Sequence, residues 1–414
     1  MKKMTQSSWR LVTLWITCYL ISALFTYVDH TILIRLAIPL IIAISCLWLL
    51  KSLPERERRF LPYLLFFSIS ITSITGLTGA LNGFSAESTN LYLYGFSFYS
   101  ASLAFYVASQ TEINISDALK FSNPLLLFSG PIALFIKKAG EKSLIRRLNY
   151  YLPFVLIGVF FFHIIASPLT QFLYFVNKTD LISVLTFAII FEIFIYANFC
   201  GLSLAIYGIF GILGYRIPLN FRQPFSSTNV VDFWKGWHTS LSAVLKRLFY
   251  SPTRLFSSQL VAIFAVFIAS GLWHGITVNF LFWGVFHAVI FYLSLTLLRR
   301  NRRLSPLFLL LVGIIIGRLI FADSNTDRLL EKLTFSFDGF NIFIDLLNAS
   351  NSSKVALLIG ILLVLIEFLF QRHRYVKKRN YKHLRTPASL AAIVFLMIAL
   401  STDVGDFYAV YGQR

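Results

Sequence analysis

The chain has 414 residues, of which 57% are hydrophobic and only 13% charged, with 43 Phe and a formal net charge of +19. That is more apolar surface than one soluble core can bury, which excludes a soluble globular protein and reads as an all-α polytopic membrane protein. The basic excess does not mark a nucleic-acid partner, because no basic run outside the loops named below is interleaved with stacking aromatics.

Runs of about 18 to 25 apolar residues match the thickness of a bilayer core. Eleven occur in chain order, near 11–28, 32–50, 60–80, 92–109, 150–174, 182–213, 258–274, 277–298, 305–322, 354–370 and 386–402. The first follows Lys2, Lys3 and Arg10, is long enough to remain in the membrane and has no small-residue cleavage site after it, so it is not read as a signal peptide. The stretch 122–136, with Pro124, Gly130 and Pro131, is expected to dip in and return, and 182–213 is too long for one simple span. No internal repeat or low-complexity linker divides the chain.

Basic residues crowd into Arg56–Arg59, Lys137–Arg147, 216–254, Arg299–Arg303 and Arg372–Arg385, which are alternate loops, while 81–91, 175–181 and 323–353 are acidic or nearly neutral. This positive-inside pattern predicts a multi-pass protein of the cell inner membrane with its N-terminus in the cytoplasm and its C-terminal tail outside. Cys18, Cys46 and Cys200 all fall in apolar runs and read as small core residues, with neither a disulfide framework nor a metal motif.

Between Ser226 and Pro252 the apolar residues Val230, Phe233, Trp234, Trp237, Leu241, Val244, Leu245 and Leu248 recur with helical spacing, opposite Asp232, Lys235, Thr239, Ser242 and Lys246. The pattern predicts one amphipathic helix at the cytoplasmic surface, capped by Ser227 or Thr228. His238 falls on its aromatic side, which suits either a structural hydrogen bond or a site residue. His274 lies deep in an apolar run between Gly271 and Gly275, a spacing that admits a second backbone or a substrate. An ionisable group so placed marks a reaction or transport site by default. His287, thirteen residues on, faces another direction on a continuous helix and reads as structural. Glu192, Arg318 and Glu367 also lie in apolar runs, and pairing among them or with backbone is expected.

Several of these segments resemble the signature of the membrane-bound O-acyltransferase family, nearest its bacterial alginate O-acetyltransferase branch. They are Asp232-Phe233-Trp234-Lys235-Gly236-Trp237-His238, Gly271-Leu272-Trp273-His274-Gly275 and Trp283-Gly284 with His287. Gly95–Tyr99, Ser129–Ile132, Tyr196–Ser203 and Gly214–Phe221 are similar to further segments of that branch, in order from about 95 to 322. Asn198, Leu204 and Arg247 stand where relatives carry acidic residues, and Phe321-Ala322-Asp323 lacks an arginine.

The resemblance implies transfer of an acyl group, acetyl above all, from a cytoplasmic thioester to a hydroxyl of an envelope or secreted glycan, directly or through an extracytoplasmic acyl-relay protein. It implies His274 as catalytic base, His238 as the residue that positions the donor or polarises its carbonyl, and Trp237, Trp273, Asn220 and Asp232 as substrate-binding residues. Acyl-coenzyme A or an acyl carrier protein would be the donor substrate, with no bound cofactor and no metal. Arg216, Arg222, Lys235 and Lys246 either steer the donor's phosphates or merely satisfy the charge rule. The expected organisation is N-terminal membrane helices over 1–90 that do not align with the family, a catalytic core over 91–322, and C-terminal helices with an outside tail over 323–414. Tyr408 and Tyr411 in that tail suit an acyl relay or plain interfacial anchoring. The competing classes are a secondary transporter and a silent scaffold of an envelope-modification complex.

Overall fold

The structure, a computed structural model, describes residues 54, 60, 137–138, 143–274, 277–299, 306–323, 325–332, 334, 341–369 and 379–400. The apolar runs near 11–28, 32–50 and 60–80 (apart from Phe60) and 92–109, the 122–136 dip, Cys18, Cys46, Gly275 and the tail with Tyr408 and Tyr411 lie outside these residues.

The described residues are mostly helical, because a backbone in lipid must satisfy its own polar groups. The single sheet among them pairs β1 (Lys137–Lys138) antiparallel with β2 (Tyr215–Arg216). Helix α1 (Leu144–Val159) passes into a π-helical stretch, Phe160–Ala166, and ends in a 3-10 stretch, Thr170–Asn177, giving 34 residues in all. Helix α2 (Leu181–Ile212) is one helix of 32 residues. No proline breaks it, and at 1.5 Å per residue it reaches about 48 Å, longer than the ~30 Å of a bilayer core, in keeping with the reading of 182–213 as too long for one simple span. It is the most buried of the four long apolar helices, with 72% of its apolar window buried against 50% in Leu144–Asn177, 33% in α7 (Val278–Arg299) and 28% in α11 (Asn351–Leu369). Helices α1 and α2 cross backbone to backbone, since a Cβ on Gly158 would lie 2.5 Å from the carbonyl oxygen of Gly201.

The expected single amphipathic helix is instead a 3-10 turn (Pro224–Ser226), α3 (Val230–Gly236), α4 (Thr239–Leu245) with a π-helical extension over Lys246–Tyr250, and α5 (Ser251–Phe256). Its cap is Asn229, whose side chain accepts the Asp232 N–H at 2.8 Å, and neither Ser227 nor Thr228. The stripe itself holds: Val230, Phe233, Trp237, Leu241, Val244, Leu245 and Leu248 are buried, while Lys235, Ser242 and Lys246 are exposed. Helices α6 (Gln259–His274) and α7 form an antiparallel hairpin in backbone contact, with the Phe280 carbonyl against Gly271 and the Phe267 carbonyl against Gly284. The close approach that Gly271 permits is therefore to a second backbone. Helix α8 (Pro306–Ala322) follows, then α9 (Thr326–Lys332), α10 (Asn341–Asn348), α11 and α12 (Pro387–Leu400). The seven apolar runs from 150 on thus each meet a helix, four of them long enough to cross a bilayer.

Contacts divide the described residues into two units. One holds the β-pair, the start of α1 and Ile206–Pro218; the other is built from Pro153–Ala205 and the residues from Leu219 on. In the first, Tyr151 packs against Gly211 and edge-on to Tyr207 at 5.5 Å. In the second, loops that the charge pattern assigns to one side do meet. Lys178 pairs with Asp345 at 2.5 Å, Arg328 bonds Asn177, and Lys332 bonds the Val176 carbonyl at 2.6 Å, joining 175–181 to 323–353. Around them Asp323 is fully enclosed, and although burial pushes its carboxyl up, hydrogen bonds from Arg328 and Lys332 hold it below the usual range. At another place Arg379 and Tyr381 bond Ser227 and Gln223, joining the two basic loops.

Candidate active site

Helices α3 and α4 are split by Trp237 and His238, and His238 adopts a left-handed backbone, φ +44°. That conformation is uncommon for a residue with a Cβ and persists only where neighbours over-determine it. Asn220 does most of this. Its carbonyl accepts the Thr239 N–H at 2.8 Å, and its side-chain oxygen accepts the Ser240 hydroxyl at 2.8 Å and the Ser240 N–H at 3.2 Å. The Gly236 carbonyl accepts the Arg222 N–H at 2.8 Å, and the Thr239 hydroxyl donates to the Leu219 carbonyl at 2.9 Å.

So placed, His238 is the N-cap of α4: its Nδ1 accepts the Leu241 N–H at 3.4 Å. An Nδ1 that accepts is unprotonated, so in the neutral ring the proton sits on Nε2. Burial among apolar rings pushes the His238 pKa down to about 4, which keeps the ring neutral at physiological pH. His238 therefore presents an N–H donor at Nε2.

His274 is the last residue of α6, half-buried, with its ring held by Phe321 at 4.7 Å, Trp273 at 4.8 Å, Trp283 at 5.7 Å and Phe280 at 5.9 Å. Trp273 touches both histidines, lying 6.4 Å from His238 and edge-on to it. The structure thus brings His238, Trp273 and His274 together. Trp237 backs the turn from behind, buried between Phe233, Phe221 and the Arg318 guanidinium, which lies 4.6 Å from its ring. Asn220 is committed to the His238 turn, and the Asp232 carboxylate to Asn229 and Lys235 on the polar side of α3.

His287 is buried in α7 between Trp283 at 4.5 Å and Trp234 at 5.0 Å, and its Nε2 lies against Gly317 of α8. It lines a small cavity with Trp234, Phe233 and Arg318. Although it lies on a different helix from His274, both rings pack on Trp283. Glu192 and Arg318 pair with one another, and the Glu367 carboxylate accepts the Tyr196 hydroxyl. No group of three or more metal-ligating side chains occurs among the described residues.

Sequence reasoning missed Phe321, which it treated only as the place of an absent arginine, and the buried group of Tyr196, Gln223 and Tyr381. A signal for Phe321 existed in its position at the end of an apolar run beside an acidic residue. Tyr196 opens a family-like segment, but nothing marked Tyr381 or the joining of the two, whose partners lie more than 150 residues away in sequence.

The sequence matches the profile of MBOAT, the membrane-bound O-acyltransferase family, over residues 9–321, which takes in most of the first 90 residues as well as the motifs. It is 29% identical to the teichoic acid D-alanyltransferase of Bacillus subtilis over 111 residues, 24% of this chain and 28% of that protein. It is 32% identical to the peptidoglycan O-acetyltransferase of Helicobacter pylori over 102 residues, 23% of this chain and 18% of that protein. To the protein named "Probable alginate O-acetylase AlgI" of Pseudomonas aeruginosa it is 32% identical over 162 residues, 36% of this chain and 30% of that protein. The chain spans less than a third of the length of each of these relatives. With the family profile matched over well more than half of its length, the chain belongs to the membrane-bound O-acyltransferase family.

Proposed function

We propose that this protein transfers an acyl group, acetyl above all, from a cytoplasmic thioester to a hydroxyl of an envelope or secreted glycan, directly or by way of an extracytoplasmic relay protein. The observation that carries the reading is the meeting of His238 and His274 at Trp273. His238 comes from the basic segment 216–254, whereas His274 ends a helix that starts at Gln259 and spans 16 residues, about 24 Å, less than the ~30 Å of a bilayer core. A donor from the cytoplasm and an acceptor from outside would then need little further travel to meet.

In this scheme His274 removes the proton of the attacking hydroxyl as its oxygen bonds to the thioester carbonyl carbon. The His238 Nε2–H donates to the carbonyl oxygen as negative charge develops there, a task for a fixed donor in a site that excludes water. Collapse of the intermediate breaks the carbon–sulfur bond, and the proton held on His274 passes to the departing thiolate. Trp273 and Trp237 wall the reacting group. Asn220 and Asp232 act on the turns that present it. The donor is acyl-coenzyme A or an acyl carrier protein, and Arg216, Arg222, Lys235 and Lys246 supply positive charge on its side. The names of the relatives, which speak of alginate, peptidoglycan and teichoic acid, support a polymeric envelope or secreted acceptor.

The same proposal includes about eleven crossings with a re-entrant 122–136, a cytoplasmic N-terminus, an outside C-terminus and a catalytic core over 91–322 flanked by N- and C-terminal helices. A transporter would need intramembrane charges open to a path, but Glu192 and Arg318 are taken up by each other and Glu367 by Tyr196. Mass spectrometry of surface glycans from cells with and without the protein is the test. Loss of one O-acyl modification is expected, and an unchanged glycan profile together with uptake of a solute by the purified protein would move the transporter reading ahead.

A further inference from the structure

The loop that precedes α3 is gripped from behind by residues beyond the family match. Gln223, in a left-handed conformation at φ +46°, donates its N–H to the Tyr381 hydroxyl at 3.3 Å, and its side-chain oxygen accepts the Tyr381 N–H at 2.9 Å. Tyr381 is fully buried and itself left-handed, φ +58°, with its hydroxyl 3.1 Å from both the Tyr196 hydroxyl and the Cys200 sulfur. The Glu367 carboxylate, also fully buried, accepts the Tyr196 hydroxyl. Arg379 donates to the Ser227 hydroxyl at 2.7 Å. Gln223 and Ser227 of one loop are thus held by Tyr381 and Arg379, and Phe225 between them packs on the ring of Tyr196, whose hydroxyl Glu367 accepts.

Both ends of that loop lead to His238. On one side Asn220 fixes the His238 turn, and Phe221 packs 5.1 Å from Trp237 and 6.0 Å from the His238 ring. On the other, Asn229 caps α3, whose last residue precedes Trp237. The Tyr196 ring lies 4.9 Å from Phe225 and 6.1 Å from Trp237, so the clamp touches the wall of the site itself. Gln223, His238 and Tyr381 are the non-glycine residues with positive φ among those described, and all three belong to this one assembly. A left-handed residue with a Cβ persists only where its surroundings enforce it, which makes the His238 geometry dependent on what holds its neighbours.

We infer that Glu367, Arg379 and Tyr381 are positioning residues that set the conformation and tautomer of His238, so that the site is completed by the chain's C-terminal part beyond residue 321. Its kinetic consequence rests on the acyl-transfer reading above; its structural consequence does not.

The test uses full-length protein in proteoliposomes with an acetyl thioester as donor, and the same protein labelled with ¹⁵N-histidine. Tyr381→Phe, which removes one hydroxyl and leaves the ring, and Glu367→Ala are each expected to lower kcat by about tenfold to a hundredfold through misplacement of His238, with the donor KM within about twofold. The His238 ring signals, assigned by their loss in His238→Ala, should depart from the unprotonated Nδ1 and protonated Nε2 pattern in both variants. Glu367→Gln keeps an acceptor oxygen and should restore kcat and the signals. Ile393→Ala, a buried residue of α12 outside the clamp, should lower the melting temperature while sparing both. Wild-type His238 signals in Tyr381→Phe and Glu367→Ala would overturn the clamp, as would a kcat loss matched by Ile393→Ala. If the wild-type protein cleaves no thioester, the acyl-transfer reading fails while the histidine signals still decide the clamp.

Discussion

His238 and His274 meet at Trp273, but hydrogen bonds fix the turn that carries one, while aromatic rings enclose the other. The His238 turn is polar and strained: Asn220 saturates it, and one ring nitrogen is spent on capping α4. His274 closes a helix whose partner approaches through glycines, and four aromatic rings enclose its side chain. A ring whose acceptor nitrogen is occupied can offer a proposed reaction only its N–H. In the proposed reaction the proton transfer falls to the other ring, His274. The two regions therefore suit different tasks although both carry the same side chain.

The strongest way to break this contrast is His274→Ala, for which a loss of about 10² to 10⁴ in the rate of O-acylation is expected, the range for a missing general base. Its fold should survive, since the α6–α7 contacts at Gly271 and Gly284 are made with backbone, and a wild-type melting curve checks this. Next comes His238→Asn. Asparagine tolerates a left-handed backbone and is a good N-cap, so the turn should keep its stability while the Nε2–H is lost. The expected result is a melting temperature near wild type and a rate lower by about 10² to 10³, the cost of one donor to a developing oxyanion. A rate loss seen only with a matching loss of stability would reduce His238 to a cap.

Asn220→Ala sharpens the comparison from outside the rings. It removes the acceptor of the Ser240 N–H and hydroxyl, and leaving a buried donor unsatisfied costs about 1–3 kcal/mol. A rate loss of about tenfold should accompany it, because His238 is moved and not removed.

The smallest expected effect is on pH dependence. His238 has a folded-state pKa lowered to about 4 from an ordinary value of 6.5, so the unfolded chain takes up a proton in this window and the folded protein does not. The stability that depends on its neutral ring is complete above about 6.5 and declines as pH falls from there toward 4. Melting temperatures measured across that window should fall more steeply in wild type than in His238→Asn. Parallel curves would mean that the ring is not held away from water.

These contrasts also mark how far the sequence could be read. Periodicity located every apolar helix from residue 150 on to within a few residues, because burial in lipid leaves a one-dimensional signal. The stripe from Val230 to Leu248 was legible as well, since α3 and α4 are only two residues apart and the apolar phase carries across the break. The break was not legible, because a histidine at positive φ has no compositional mark. The cap offered a local clue, Asn229 followed three residues later by Asp232, a start signal that the nearby Ser227 and Thr228 obscured. The His238 and Trp273–His274 elements could be named from motifs, but their meeting depends on how α3 and α4 pack against α6. The grip of Arg379 and Tyr381 on the 223–227 loop spans well over 100 residues of sequence and leaves no trace in either segment alone.

The most direct measurement of acyl transfer through this site seals a radiolabelled acetyl thioester inside proteoliposomes of purified protein and offers a glycan acceptor outside. The account predicts label on the outside acceptor with wild-type protein, and less than about a tenth of that with correctly folded His274→Ala. Intact thioester with wild-type protein, or full transfer by His274→Ala, would contradict it.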